Sequence, residues 1–390
     1  GFLTFSDVQK VYWAREKTER VLIFSKAEKR VNELSKRYPD HYMTLLARGA
    51  YHLSKLYFKE LRNKEDKNYL QYSKASLAIS GKGIENGVSD IFLPFIHTVT
   101  MQYIADGLRV SGNVSEGVRA SERFFHHAKD NFHPILPIVE HSLTQQLPSY
   151  MITGQYEMAI DKLTEIKTMV EKFDQSPIKE NHQINIAVNL AYCFDNLGEH
   201  DLALKFLDQA FLYDNTSKDN QDPYIRSLIK MMIYLKAGDE DKAYETGLES
   251  LTESSYENIR ALQWRTGNFG FYSETSIKSF LAYYYTENGQ IQKGLNLLSD
   301  LITIAEQADL WVIHSNNEEI PSYFLDDVIF INYFISAAYK GANKTELHKK
   351  YFNLANDQMV ELSNRMDIDH RQLFMDKWIN KQIIAQKNNI

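Results

Sequence analysis

A glycine between two apolar helical patterns returns about every forty residues, and this internal repeat constrains the fold more than any other feature of the sequence. The stretch LAYCFDNLGEHDLALKFLDQA, residues 190–210, shows the pattern around Gly198. The corresponding glycines in the other copies are Gly112, Gly154, Gly238 and Gly289. Successive spacings are 42, 44, 40 and 51 residues, and a weaker copy follows around Tyr339. A chain of this kind is built from one unit used several times.

Each copy predicts two amphipathic helices joined by a short turn, because apolar residues recur at i, i+3, i+4 and i+7 on both sides of the glycine. The glycine can adopt the left-handed conformation that ends the first helix. Small residues such as Ala191 and Ala203 allow neighbouring helices to approach closely, so both should be almost fully buried. A single helix pair cannot bury its apolar face alone, and the copies must therefore stack.

The pattern resembles the tetratricopeptide repeat (TPR), a helix–turn–helix unit of 34 residues with large, small and aromatic residues in this order. Gly154, Tyr156 and Ala159 match that order well, and so do Leu190 and Gly198. The first-helix Trp and the closing Pro of the family are absent, and the period is nearer 40, which implies longer helices or linkers. The resemblance implies an all-α fold, a right-handed α-solenoid of stacked antiparallel helix pairs.

The repeats divide the sequence into three regions. Residues 1–97 form an N-terminal helical region of degenerate repeats or a cap, residues 98–360 carry the TPR-like repeats, and residues 361–390 form a C-terminal capping or linker helix, interpreted as one long polar helix. Between repeats, Pro177 and Pro223 follow capping residues and predict helix starts. Strand structure should be essentially absent, because no Val/Ile-rich alternating run with hairpin turns occurs.

Charge and cysteine content narrow the function classes. With 44 basic and 51 acidic residues spread along 390, the formal net charge is −7, which gives no electrostatic reason to expect nucleic acid as a partner. The single cysteine, Cys193, excludes an intramolecular disulfide and a cysteine-based metal site, and its helical context predicts a buried apolar role. No stretch is long and apolar enough to span a bilayer.

The cellular location stays open. The apolar start GFLTFSDVQKVYW is compatible with a sequence that begins just after a membrane segment, and equally with a helix that packs on its neighbour. A cytoplasmic protein is favoured, and an extracytoplasmic sensor segment of a membrane protein is the alternative.

The richest candidate for chemistry is FFHHAKDNFHPILPIVEH. Its candidate ligands are His126, His127, His133, Glu140 and His141. They are adjacent or scattered around two prolines rather than placed at i, i+4 on one helix, so the segment is typical of an inter-repeat loop. No nucleophile elbow, HExxH motif or phosphate-binding loop occurs, and we expect neither an enzyme nor a cofactor. A helical enzyme or metal-binding domain that uses residues 126–141 is the alternative.

A stacked array of helix pairs presents a concave surface lined by the first helix of each pair. On the helix near Ile184, the residues that packing does not require are Asn185, Asn189, Tyr192 and Asn196. Their spacing of 4, 3 and 4 places them on one face, and Asn side chains both donate to and accept from a peptide backbone. The equivalent inward positions in other copies are Tyr103, Gln145 and Tyr283. A merely solvated polar face is the alternative interpretation.

The sequence therefore predicts a scaffold or sensor module that binds a peptide or a partner protein. Long-period repeats of this kind resemble those of MalT-like regulators, of Gram-positive peptide-pheromone receptors and of sensor segments placed ahead of diguanylate cyclase domains, which implies a bacterial signalling protein. This step is an analogy at the level of the fold. A homodimer is compatible with the pattern.

Overall fold

A computed structural model describes residues 17–56, 68–87, 93–110, 113–132, 147–172, 177–214, 223–252, 269–307 and 325–387. Within these ranges helices are the only regular structure, as predicted, and none of them is long and apolar enough to cross a membrane. The chain divides into two compact units, residues 1–149 with 321–323 and residues 150–320 with 324–390. This division falls inside the region predicted to carry repeats, and the predicted boundaries after residues 97 and 360 stay predictions.

The first unit is a stack of helices that contact their neighbours in chain order. Its helices are α1 (Lys17–Arg37), α2 (Tyr42–Leu56), α3 (Tyr69–Glu85), α4 (Leu93–Val110) and α5 (Val114–Asn131). Phe24 of α1, Leu46 of α2, Tyr69 of α3 and Ile96 of α4 meet in one apolar cluster. The residues predicted as an N-terminal helical region therefore pack into a core with α4.

The second unit consists of helix pairs in sequence. After α6 (Leu147–Thr153), which spans the boundary between the units, its helices are α7 (Tyr156–Glu171), α8 (Pro177–Asn196), α9 (His200–Asp214), α10 (Pro223–Lys236), α11 (Glu240–Thr252), α12 (Phe269–Glu287), α13 (Ile291–Gln307), α14 (Leu325–Gly341), α15 (Thr345–Asn364), α16 (Ile368–Met375) and α17 (Trp378–Lys387). The first helices of successive pairs contact each other, α8 with α10, α10 with α12, and α12 with α14. Stacking between neighbours thus builds the unit, as the repeat predicts.

Small residues sit where the helices come closest. Ala191 and Ala203 have 0% exposure and pack with Leu207, Ile229 and Ile233 in one cluster, which confirms the prediction for both alanines. Cys193 is also buried, and burial raises the pKa of its thiol to about 12. The thiol is therefore a packing group at neutral pH, as its helical context predicts.

The turns between paired helices share one geometry. The four described repeat glycines have positive φ, from 75° at Gly289 to 84° at Gly198. At the latter, the backbone N–H of Glu199 donates to the Phe194 carbonyl at 2.9 Å, which closes the end of α8. In the last pair Asn343, with φ of 57°, takes the place of the glycine. Gly112 lies outside the described residues.

Helix starts at Pro177 and Pro223 are confirmed as the first residues of α8 and α10. The prediction of one long polar helix over residues 361–390 is wrong. The chain ends α15 at Asn364 and begins α16 after Asp367, whose side chain accepts a hydrogen bond from the His370 N–H at 3.1 Å. The cause is this capping aspartate, together with apolar side chains that pack in place of a solvated face. The buried apolar residues are Phe374, Ile379 and Ile383.

Candidate functional site

A pocket of about 560 Å³, open to solvent, lies within the second unit. It is lined by the first helices of four consecutive pairs and by residues 377–379 before and within α17. Its lining residues are Tyr192, Asn196, Leu228, Ile229, Met232, Lys236, Ser276, Phe330, Lys377, Trp378 and Ile379. We call this set the inner-face pocket.

Helical spacing places the lining side chains on one face of each helix. Leu228, Met232 and Lys236 follow one another at steps of four residues along α10, as Tyr192 and Asn196 do on α8. Ala191 of α8 and Ile233 of α10 enter the core instead, while Tyr192 and Ile229 contact both the core cluster and the pocket. The same packing that buries the small residues therefore leaves these side chains directed to a common surface.

The walls of the inner-face pocket are mainly apolar. Leu228, Met232, Phe330 and Trp378 supply long aliphatic, thioether and aromatic side chains. A methionine fills irregular space well because it is unbranched and polarizable. Such walls favour an apolar side chain of a ligand over a sugar or a nucleotide phosphate.

One edge of the pocket is charged and tightly organised. Lys236 donates to Asp195 Oδ2 at 2.7 Å and to Asn196 Oδ1 at 2.9 Å, and Asp195 Oδ1 lies 3.0 Å from His200 Nδ1. The Lys236 and Asp195 side chains are only 5% and 1% exposed. The Asn196 amide donates to the Tyr192 carbonyl at 2.8 Å. Asn196 thus uses its hydrogen bonds to fix the edge of the pocket.

The structure brings some predicted site residues together and separates others. Tyr192 and Asn196 line the inner-face pocket, and Asn189 is partly exposed on the same helix. Gln145 and the side chain of Asn185 lie outside the described residues. Tyr103 belongs to the apolar cluster of the first unit with 6% exposure, because α4 turns this ring toward α1 to α3, and we therefore assign it to the core rather than to a binding surface.

Tyr283 lies at a second, tyrosine-rich surface of the second unit. Its hydroxyl donates to Glu240 Oε1 at 3.3 Å, and burial together with the carboxylates of Glu240 and Glu287 raises the pKa of this phenol. The neighbouring Tyr284 donates to Asp241 at 2.5 Å. The phenols are therefore protonated donors at neutral pH.

Two histidines face each other in the first unit. The ring centroids of His97 on α4 and His127 on α5 are 5.0 Å apart. Burial lowers the pKa of both imidazoles, and the charge of His127 lowers that of His97 further, whereas Asp130 opposes the shift at His127. Ser80 Oγ lies 2.8 Å from His97 Nδ1. The sequence pattern did not single out His97, because its partner comes from another helix.

The remaining predicted ligands of the histidine-rich segment, His133, Glu140 and His141, lie outside the described residues, and His126 is exposed on α5. Across the part of the chain that the structure describes, no group of three or more His, Cys, Asp or Glu side chains could hold a metal ion. A metal site over residues 126–141 stays an untested prediction.

The chain also returns to the start of the second unit. Lys377 Nζ donates to the Met151 carbonyl at 3.2 Å, and these two residues are 226 positions apart in the sequence. The Leu373 carbonyl oxygen lies only 2.7 Å from the point where a Cβ on Gly154 would stand. We call residues 368–387 the return segment. It reaches from the last helix pair to the first turn of the unit and lines the inner-face pocket on the way.

Comparison with solved structures supports the repeat fold. A Rap protein complexed with competence and sporulation factor matches with a TM-score of 0.53 and 11% identity, over 99% of this chain and 97% of that chain. The apo form of RapI matches with a TM-score of 0.51 and 11% identity, again over 99% and 97%. A Podosopora anserina putative kinesin light chain with nearly identical TPR-like repeats matches over 54% of this chain and 95% of that chain, at 19% identity and a TM-score of 0.38. The chain has a TPR-like repeat fold. No family model and no curated protein matches the sequence.

The inner-face pocket lies on the first helices of the helix pairs. These are the helices from which the sequence predicts a concave binding surface. Sequence reasoning missed Leu228, Met232 and Phe330, because apolar residues on an amphipathic helix look like core residues. It also missed Lys236. Lys236 could have been recognised as a site residue because it lies eight residues after Leu228, on the same face of α10. It also stands immediately before the turn that carries Gly238.

Proposed function

We propose that this TPR-like chain is a binding module that captures a peptide, or a segment of a partner protein, at the inner-face pocket. The observation that carries the proposal is the convergence of four consecutive first helices on one pocket with apolar walls and a fixed polar edge. A pocket shared by several repeats suits an extended ligand, because successive side chains of the ligand can contact successive helices.

The fold likeness to Rap proteins supports this proposal at a coarse level. One of those structures holds competence and sporulation factor, which is a property of that protein. We extend ligand binding to this chain as part of the proposal, together with a role in bacterial signalling. The proposal describes a scaffold or sensor rather than an enzyme.

Each residue of the site has a proposed role. Met232 and Phe330 contact an apolar side chain of the ligand, while Tyr192 and Asn189 face its backbone beside the fixed Asn196–Lys236 edge. Tyr283, on the second, tyrosine-rich surface of α12, is a further contact for an extended ligand. In this proposal Tyr192, Asn189 and Asn196 form the polar margin of a largely apolar site.

A displayed library of random peptides tests the proposal. Peptides enriched on the immobilised full chain are synthesised with a fluorophore and titrated against the wild type, Met232→Ala and Phe330→Ala. We expect each substitution to weaken binding at least about tenfold, since a truncated anchor removes both contact and desolvation. Leu248→Ala on α11 is the matched control, because Leu248 is exposed and lies apart from the pocket.

Circular dichroism and melting curves show whether each variant keeps its fold. Equal affinity of every enriched peptide for all four proteins would contradict the proposed site. A library from which no specific peptide can be enriched would contradict peptide binding itself.

A further inference from the structure

This chain's own return segment forms one wall of the inner-face pocket. Lys377, Trp378 and Ile379 line the pocket together with side chains of α8, α10, α12 and α14. Trp378 and Ile379 offer an aromatic and a branched aliphatic group, and the Lys377 side chain is only 5% exposed. A ligand that contacts the whole inner face must therefore share the site with these residues or displace them.

The return segment is held at its beginning by hydrogen bonds to the end of α15. Arg371 donates from Nε to the Ser363 carbonyl at 2.9 Å and from Nη2 to the Met366 carbonyl at 3.2 Å. Within the segment, the buried Asn380 donates to the Phe374 carbonyl at 2.7 Å. The Arg371 bonds tie α16 to the last helix pair, and the Asn380 bond joins α17 to α16.

At its far side the segment contacts the first turn of the second unit. Lys377 reaches the carbonyl of Met151 in the last turn of α6, where the aligned peptide dipoles attract a cation. The Leu373 carbonyl packs against the backbone at Gly154, which has no Cβ to prevent the approach. Two separate contacts therefore seat the segment across the pocket, and both can be removed without touching a lining side chain of α8 to α14.

We propose that the return segment is an intramolecular competitor of the ligand, and that the ligand is a peptide of the same chemistry, in which a lysine or arginine precedes an aromatic and a branched aliphatic residue. This inference rests on the proposed function and names its ligand class and regulation. The apolar walls accept the aromatic and aliphatic side chains, and the last turn of α6 accepts the cation. Release of the return segment then accompanies ligand capture.

Competition makes the apparent affinity depend on how often the segment is released. When only a fraction of molecules exposes the site, the apparent dissociation constant rises by the inverse of that fraction. A substitution that loosens the segment must then tighten ligand binding. An ordinary binding residue behaves in the opposite way, because its substitution weakens binding.

Gly154→Ala loosens the segment, because its new Cβ would lie 2.7 Å from the Leu373 carbonyl oxygen, a backbone atom that cannot move aside cheaply. Gly198→Ala is the matched control. Gly198 has nearly the same positive φ, 84° against 80°, and nothing lies within 4 Å of its added Cβ. Any cost of placing alanine in a left-handed conformation is thus common to both proteins.

A second pair of variants removes the cationic contact. Lys377→Met keeps the aliphatic stem but loses the bond to the Met151 carbonyl, whereas Lys381→Met changes an exposed lysine of α17. If Gly154→Ala fails to fold, this second pair of variants tests the competition instead.

The probe is a fluorescent synthetic peptide with the sequence of residues 368–387, added to the full-length variants. We expect it to bind Gly154→Ala and Lys377→Met at least about tenfold more tightly than the wild type, Gly198→Ala or Lys381→Met. Amide hydrogen exchange within residues 368–387 should accelerate in the same two variants. A control peptide in which Trp378 and Ile379 are replaced by serine should not bind.

Two results would overturn the inference. In the first, amide hydrogen exchange and peptide affinity of Gly154→Ala and Lys377→Met equal those of Gly198→Ala and Lys381→Met. The other is accelerated exchange without peptide binding. If library peptides still bind through Met232 in either case, the proposed function stands and only the competition is wrong. If the library peptides also bind without regard to Met232, the proposed function fails as well.

Discussion

At the scale of single residues, Ala203 shows how the repeat specifies its own packing. It has 0% exposure in a cluster where α9 meets α8 and α10. The interiors of proteins are packed as densely as organic crystals, so a larger side chain here has no space to enter. The small residue therefore sets the distance between helices, and it could be identified from its position in the repeat alone.

Ala203→Leu should lower the free energy of unfolding by about 1–3 kcal/mol, because overpacking forces neighbouring side chains out of their rotamers. Urea unfolding followed by circular dichroism measures the change. Lys205→Leu, at an exposed position of the same helix, is the control and should change stability little. Equal stability of both variants and the wild type would show that the helix faces are assigned wrongly.

The His97–His127 pair predicts a pH dependence of stability. Folding lowers the pKa of both imidazoles below the ordinary value of 6.5, so the unfolded chain binds protons that the folded chain does not. These histidines therefore cost no stability above about pH 6.5 and reduce it as the pH falls below that value. The unfolding free energy should be lower at about pH 5 than at about pH 7.5. His127→Phe should make this difference smaller, whereas His126→Phe, at an exposed position, should leave it unchanged.

At the scale of helices, Asp195 and Lys236 join neighbouring repeats. Asp195 lies in α8 and Lys236 ends α10, and the pair is almost fully buried. Removing one member of a buried ion pair leaves the other charge uncompensated. The pair therefore fixes the relative position of two first helices, and with them one edge of the inner-face pocket.

Lys236→Met should destabilise the chain by about 3 kcal/mol, while Asp195→Asn combined with Lys236→Met should cost less than the sum of the single changes. A double-mutant cycle in urea measures this coupling. Additive single effects would show that the two helices are held together without the pair.

The helices also show which features of the fold could be predicted from the sequence. Helix starts at Pro177 and turns at the repeat glycines follow from local conformational preference, and local sequence contains that information. The contact between Lys377 and Met151 depends on how far the stacked pairs turn over 226 residues, which no local pattern specifies. For the same reason the pocket-lining side chains of α10 and α14 could not be predicted. Tyr192 and Asn196 line the same pocket, and their role in binding stays a prediction.

At the scale of the molecule, the proposed function requires that a ligand bind to the inner face of the second unit. The first helices of successive pairs present it, and the return segment forms one wall of its pocket. The outer helices α9, α11 and α13 carry the alternative surface. A chain that used those helices would have the same fold and a different function.

Photo-crosslinking of an enriched peptide to the full-length chain, followed by mass spectrometry, distinguishes these surfaces most directly. A photoreactive group at the central apolar residue of the peptide should label side chains of the inner-face pocket, Met232 and Phe330 above all, and excess unlabelled peptide should abolish the labelling. Labels confined to α9, α11 or α13, under the same competition, would contradict the account.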